Sequence, residues 1–301
     1  MYYSCEEGYI ELLKDTLKDG ENKHTRNGNV ISRFGSFINF KDINSKFPLL
    51  TTKKMYFKGI VEELLWFLKG STNANELKEK NVHIWDGNSS REYLDEVGLN
   101  HYEEGELGPI YGWQWRKFGK KYKRDYDIEY DNNEYVDQLK YVIQELLKDN
   151  NSRRAVLTAW NPLDLNKMAL PPCHIMYIFY KSSKGLSCHM TMRSSDLFLG
   201  LPFNIASTAL LTQIIAAVIH VPVYEISLSL CDAHIYEEHI EQVNIQVNRN
   251  IYDLPSVLIK KVVPELNSNI DDKLRWINEL KYEDFELCNY KSHESIKAIM
   301  K

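Results

Sequence analysis

The longest apolar run in the chain, residues 205–220, limits the fold more than any other stretch. It is longer than a strand of an ordinary sheet and falls short of the ~18 apolar residues of a membrane span, so it reads as a helix buried on all sides. A helix without a polar face must be wrapped by other elements, and those on offer are mixed. Residues 7–17 and 59–68 carry apolar side chains at helical spacing and stop at Lys18-Asp19-Gly20 and Lys69-Gly70, while 135–147 is a third helix ending at Lys148-Asp149-Asn150-Asn151. Residues 154–160 and 174–180 are short runs rich in β-branched or aromatic residues, and 186–192 alternates, which predicts three strands gathered around Cys173. Residues 225–230 make a further strand leading into Asp232-Ala233-His234-Ile235-Tyr236.

The class expected from this order is α/β (α+β) without a regular βαβ rhythm. The chain shows no repeat, no Gly/Ser or Pro-rich linker and no low-complexity block, so one domain over residues 1–301 is expected; the charged, tyrosine-rich stretch 120–133 reads as a surface insertion. A net charge of -5 offers no global field for nucleic acid, so any phosphate must be bound by local arginines. The amino terminus lacks the basic start and apolar run of a secretory signal, and no stretch reads as a membrane span, which places the chain in the cytoplasm, or the nucleus, with no membrane partner. Five widely spaced cysteines with no CxxC or paired Cys/His pattern imply free thiols rather than disulfides or a metal site. No GxGxxG or Walker-type loop is present.

Chemistry concentrates in the second half. Leu170-Pro171-Pro172-Cys173-His174 sets a cysteine behind a double proline, followed by Arg193-Ser194-Ser195-Asp196 and Pro202-Phe203-Asn204. A free cysteine is often only a small core hydrophobe, but arginines nearby can lower a thiol pKa and make a nucleophile of it. Arg26, Arg153, Arg154 and Arg193 with Ser194 are the candidates for a phosphate site, because a guanidinium stays charged and donates in pairs. Asn204 can pair with the edge of a heterocycle or cap the helix that follows. Glu63, among Leu64-Leu65-Trp66, is a carboxyl whose pKa rises on burial, while Glu62 suits a solvated helix charge. His234 and Tyr236 stand two apart and share a face of an extended segment, as site residues or as ordinary strand residues.

These motifs, in this order, resemble the thymidylate synthases. The resemblance extends through Phe47-Pro48-Leu49-Leu50-Thr51-Thr52-Lys53, Glu62-Glu63-Leu64-Leu65-Trp66-Phe67, Ile84-Trp85-Asp86, Gly108-Pro109-Ile110-Tyr111-Gly112, Ser152-Arg153-Arg154 and Ala159-Trp160-Asn161-Pro162, nearly the whole chain. It implies a large mixed sheet flanked by helices, a homodimer formed by sheet-to-sheet packing, and reductive methylation of dUMP to dTMP with 5,10-methylenetetrahydrofolate as co-substrate and no metal. Cys173 would add to C6 of the uracil ring, turning C5 into an enolate that attacks the one-carbon unit. Glu63 would relay a proton to the ring carbonyl, Tyr111 would assist loss of the C5 proton, and Asn161 and His174 would surround the nucleophile and its water. The dUMP phosphate would meet Arg26, Arg193 and Ser194, with Arg153 and Arg154 reaching in from the partner subunit. Asn204 would read the N3-H and O4 edge, which favours dUMP over dCMP, and His234 with Tyr236 would hold the sugar hydroxyl. Ile84, Trp85, Leu199 and Phe203 would wall the pterin, Asp196 would supply its carboxylate, Asn88 a polar contact and Lys53 a partner for the glutamate tail.

The chain departs from the family pattern in three places. Arg26-Asn27-Gly28-Asn29-Val30 replaces an Arg-Thr-Gly-Thr-Gly loop, Met192 stands where glutamine is usual, and the sequence closes on Ile296-Lys297-Ala298-Ile299-Met300-Lys301 instead of a small apolar residue and valine. The last two leave a deoxyuridylate hydroxymethylase, or a catalytically weakened nucleotide- or RNA-binding homologue, as alternatives.

Overall fold

In the computed structural model, which describes residues 2–122, 134–149 and 151–299, the buried helix forms but begins earlier than its apolar run, spanning Gly200–Val218. Pro202 does not delay it, because the first four N–H groups of a helix have no intrahelical acceptor and proline lacks only a group that would go unused. The extension makes the helix 19 residues long and apolar enough by composition to cross a membrane, but 83% of that window is buried inside the fold. Residues 123–133 of the expected insertion, and Lys301, lie outside the described residues.

In chain order the elements are β1 (Tyr2–Ser4), α1 (Cys5–Asp19), β2 (Glu21–Thr25), β3 (Gly28–Lys41), α2 (Phe57–Leu68), α3 (Asn75–Lys78), α4 (Arg91–Glu96), α5 (Tyr111–Lys117), α6 (Gln138–Lys148), β4 (Val156–Thr158), β5 (His174–Ser182), β6 (Gly185–Asp196), α7 (Gly200–Val218), β7 (Val223–Tyr236), α8 (Ile240–Val247), β8 (Ser256–Ile259), α9 (Ile270–Asn278) and β9 (Phe285–Cys288). The strand expected over 154–160 shrinks to the three residues of β4, and those expected at 186–192 and 225–230 lengthen into β6 and β7.

Strands β1 to β7 make one mixed sheet in the order β1-β3-β7-β6-β5-β4, with β2 paired to β3. β3 runs antiparallel to β7, β7 parallel to β6, and β6 antiparallel to β5. Period-two burial gives the sheet two unlike faces. Leu186, Cys188, Met190 and Met192 of β6 and Ile226, Leu228 and Leu230 of β7 point into the core, where α7 packs. The opposite face carries Phe37, whose ring stacks on Tyr2 at 5.2 Å and on His189 at 5.9 Å, beside Ser227 and Ser229.

The topology decides where the site lies. Parallel β6 and β7 end together, Asp196 pairing with His234 and Ser194 with Asp232. Antiparallel β5 begins where β6 ends, with His174 opposite Met192, and β3 begins where β7 ends, with Val30 opposite Tyr236. Four segments far apart in sequence therefore deliver Cys173, Arg193, His234 and the β2–β3 turn to one edge of the sheet.

Candidate active site

Cys173 ends the loop that enters β5, and its backbone is fixed from two sides: its N–H donates to the Tyr111 hydroxyl at 2.8 Å, and its carbonyl accepts from the Arg193 N–H at 2.9 Å. The Arg193 side chain folds back over the same loop, Nε donating to the Pro172 carbonyl and Nη2 to the Pro171 carbonyl, each at 2.8 Å, with Nη2 3.9 Å from Cys173 Sγ. The two proline carbonyls serve as acceptors for the guanidinium, which fixes the turn ahead of the thiol. The opposite expectation for its acidity needs correcting. Burial pushes the Cys173 thiol up and outweighs Arg193, which pulls it down.

Arg193 also joins Thr25, Arg26, Asn27, Val30, Ser194, Asp232, His234 and Tyr236 in lining a cavity of about 260 Å³. Two guanidiniums, three hydroxyls and an imidazole outnumber the single carboxylate of Asp232, and in so small a volume they suit an anion of phosphate size. Arg26 takes part from the two-residue turn between β2 and β3. His234 Nδ1 lies 3.2 Å from Asp232 Oδ1, and the His234 and Tyr236 rings meet edge to face at 5.2 Å. Arg153 and Arg154 do not line this cavity. They are exposed in the loop before β4.

On the core side of the thiol, α2 brings Glu63 and α5 brings Tyr111. Glu63 Oε1 accepts from Trp85 Nε1 at 2.8 Å, and burial raises its carboxyl to about 7, against that hydrogen bond. A carboxyl poised there can hold a proton at neutral pH and release it. Glu62 is not the solvated helix charge the sequence suggests. It is 6% exposed and hydrogen-bonded to Lys80 Nζ, a partner from the α3 region that local spacing cannot reveal. The Tyr111 hydroxyl is held well above its ordinary pKa by burial and by the Cys173 sulfur. His174 turns inward: its ring stacks on Tyr111 at 4.2 Å, its Nδ1 meets the Tyr177 hydroxyl at 3.0 Å, and burial drives its pKa down to about 3, so it stays neutral.

Asn161 is 7% exposed, and its Nδ2 donates to Asp164 Oδ2 at 3.0 Å and to Gln114 Oε1 at 3.2 Å. Asp164 and Gln114 were not singled out in the sequence. A carboxylate three residues after Asn161 was the only available sign, and it gains meaning once α5 packs beside that loop. Trp160, under the Arg193 guanidinium at 5.6 Å, was also missed.

The residues expected to wall a pterin have the following surroundings. Ile84, Leu199 and Phe203 are partly buried against the core, Trp85 is tied to Glu63, and Asn88 stands in a short 3-10 turn. Asp196 commits Oδ1 to the N–H groups of Phe198 and Leu199, leaving its other oxygen for a ligand. Asn204 lies inside the first turns of α7, whose N-cap is Leu199, so its amide is not spent as a cap. Lys53 differs from an open tail partner. It is 5% exposed, its ammonium donates to the Phe198 carbonyl and lies over that ring, and burial lowers its pKa to about 7.

Met192 is 2% exposed and sits in the core opposite His174, where a thioether fills apolar space and needs no partner.

A thiol held by a tyrosine and an arginine stands beside a cavity lined by two guanidiniums and a carboxyl raised by burial, an arrangement suited to nucleophilic and proton-transfer chemistry. The chain belongs to the thymidylate synthase family, whose model matches residues 7–301. It is 44% identical to the thymidylate synthase of Homo sapiens, over 97% of this chain and 89% of that protein, and 44% identical to that of Saccharomyces cerevisiae, over 98% and 96%. It is also 46% identical to the bifunctional dihydrofolate reductase-thymidylate synthase of Paramecium tetraurelia over 98% of its own length. The chain spans only 61% of that protein and 54% of the bifunctional protein of Zea mays. These relatives bear the synthase name, and neither the hydroxymethylase nor the regulator alternative finds support.

Proposed function

We propose that this chain carries out the reductive methylation of dUMP to dTMP. The observation that carries the reading is Arg193, which touches the loop and sulfur of Cys173 while lining the anion cavity, so a bound phosphate and the nucleophile share one positioning group. With phosphate between Arg26, Arg193 and Ser194, and sugar against His234 and Tyr236, the ring extends toward Cys173. Asn204 then faces the N3-H and O4 edge, and the Cys173 thiolate adds to C6. Glu63, neutral below about pH 7, supplies a proton toward the ring carbonyl. Tyr111, whose hydroxyl accepts from the Cys173 N–H, assists loss of the C5 proton. Bound against Trp85, Ile84, Leu199 and Phe203, 5,10-methylenetetrahydrofolate supplies the methylene carbon and the hydride. The free oxygen of Asp196 suits its amino-pyrimidine edge. Incubating the protein with dUMP and methylenetetrahydrofolate is expected to produce the absorbance rise of dihydrofolate and a methylated nucleotide by mass. Neither signal from folded protein would reject the reading.

The homodimer belongs to the same proposal. On the sheet face opposite the core, Phe37, His189, Ser227 and Ser229 are only half-buried, and Phe34 on β3 is 82% exposed. Exposed Arg153 and Arg154 lie outside their own subunit's cavity, as residues serving a partner's phosphate site would. Mixing a Cys173→Ala protein with an Arg153→Ala/Arg154→Ala protein is expected to restore about a quarter of wild-type activity, because half of the reassorted dimers then hold one intact site. A mixture as inactive as its parents would refute the shared site. The unpaired thiols of all five cysteines suit a reducing compartment such as the cytoplasm.

A further inference from the structure

The cavity that holds Arg193 has walls of unequal origin. Ser194, Asp232, His234 and Tyr236 stand on strands locked in the sheet, whereas Arg26 and Asn27 occupy the two-residue turn between β2 and β3. An arginine on a loose hairpin tip loses freedom when it meets an anion, and that loss subtracts from affinity. Here the tip is fastened beforehand. Thr25 Oγ1 donates across the turn to the Gly28 carbonyl at 2.7 Å, and Gly28 has φ 122°, which side-chain-bearing residues rarely adopt. Arg26 Nε donates to Asn27 Oδ1 at 3.2 Å, directing the pair together.

A second fastening lies outside the cavity. Asn29 Nδ2 donates to Glu237 Oε2 at 2.8 Å, joining β3 to the residue that follows β7. Its Oδ1 is 2.9 Å from His24 Nδ1 on β2. Since the amide nitrogen already donates to Glu237, the oxygen must accept, and the His24 proton sits on Nδ1. One side chain thus ties both strands of the hairpin to the end of β7, at Glu237, the residue next to Tyr236 and three beyond His234. Asn27 and Asn29, with Val30, are also the residues at which this loop departs from the Arg-Thr-Gly-Thr-Gly pattern.

We propose that Asn29 is a positioning residue for phosphate capture: through Glu237 and His24 it holds the hairpin so that Arg26 and Asn27 face Arg193 and Ser194 across the site of a nucleoside monophosphate's dianion. The proposal rests on the dUMP reading above. The contacts are exposed to solvent, so the expected effect is moderate and confined to the phosphate.

Calorimetric binding of dUMP and of deoxyuridine to the full chain tests it, using wild type, Asn29→Ala, Arg26→Ala and the double variant. Asn29→Ala is expected to weaken dUMP roughly three- to tenfold and leave deoxyuridine unaffected. It should add nothing once Arg26 is alanine, because a clamp without its arginine has nothing to aim. Equal weakening of both ligands would mark Asn29 as merely structural and overturn the proposal. Full additivity with Arg26→Ala, or Asn29→Ala binding dUMP like wild type, would overturn it too. A wild type that fails to bind dUMP is a separate result, rejecting the nucleotide reading and the clamp with it.

Discussion

Cys173→Ala loses turnover by roughly four to six orders of magnitude, the scale seen when a covalent nucleophile is removed. The fold should not suffer. The contacts that hold this loop run through the backbone N–H to Tyr111, the backbone carbonyl to the Arg193 N–H, and the Pro171 and Pro172 carbonyls to the Arg193 side chain, none of which uses the sulfur. Thermal unfolding is therefore expected within a few degrees of wild type, while the dihydrofolate signal disappears. A fluorinated dUMP analogue with methylenetetrahydrofolate should leave a covalent mass on the wild type and none on the variant. Cys173→Ser should be nearly as inactive, since a hydroxyl in so enclosed a place ionises far less readily than a thiol already pushed up by burial. A variant retaining more than about one per cent of activity would show that the sulfur is not the nucleophile.

That expectation grows from motifs legible in the sequence, but the acidity of the thiol does not. Local spacing puts an arginine near Cys173; weighing it against the loss of water around the sulfur needs the packed loop. The same limit applies along the chain. Helices α1, α2 and α6, and strands β5 and β6, announce themselves by period, because their buried faces are mostly apolar, with single polar exceptions such as Glu6, Glu62 and Gln138. β3 does not. Gly28, Arg33, Gly35 and several serines and asparagines interrupt its pattern, and it exists as a long strand because β7 pairs with it from Val30 to Lys41. The site divides in the same way. Cys173, Arg193, Asn204 and His234 can be picked out from their residue types and companions, whereas Gln114 and Asp164 matter only after the loop at Pro109 and the turn at Asn161 have come together, where Gln114 Nε2 donates to both the Pro109 carbonyl and Asp164 Oδ2.

Glu63→Gln should separate activity from stability, moving them in opposite directions. Glutamine keeps an oxygen for Trp85 Nε1 and nearly the same shape, but it cannot pass a proton, so a loss of about 10²- to 10⁴-fold in kcat is expected. In the wild type, neutral Glu63 is the useful form, and its contribution to kcat/KM falls as pH rises through about 7. Cys173 works as the thiolate, so its contribution rises with pH; the variant should keep that rising limb and lose the falling one. Stability follows from the same carboxyl. Its pKa is raised from 4.5 to about 7 by folding, so the folded state holds the proton more tightly; stability from this group is intact below about pH 4.5 and is lost as pH climbs through 7. The loss amounts to roughly 3 kcal/mol when complete. Glutamine never ionises, so the variant should be only slightly more stable than wild type at pH 5, by about 1 kcal/mol or less, and clearly more stable at pH 8. A site that destabilises its own fold at working pH is the exchange expected where a buried acid is kept for chemistry. Equal stability at both values, or turnover within tenfold of wild type, would remove Glu63 from the proton relay.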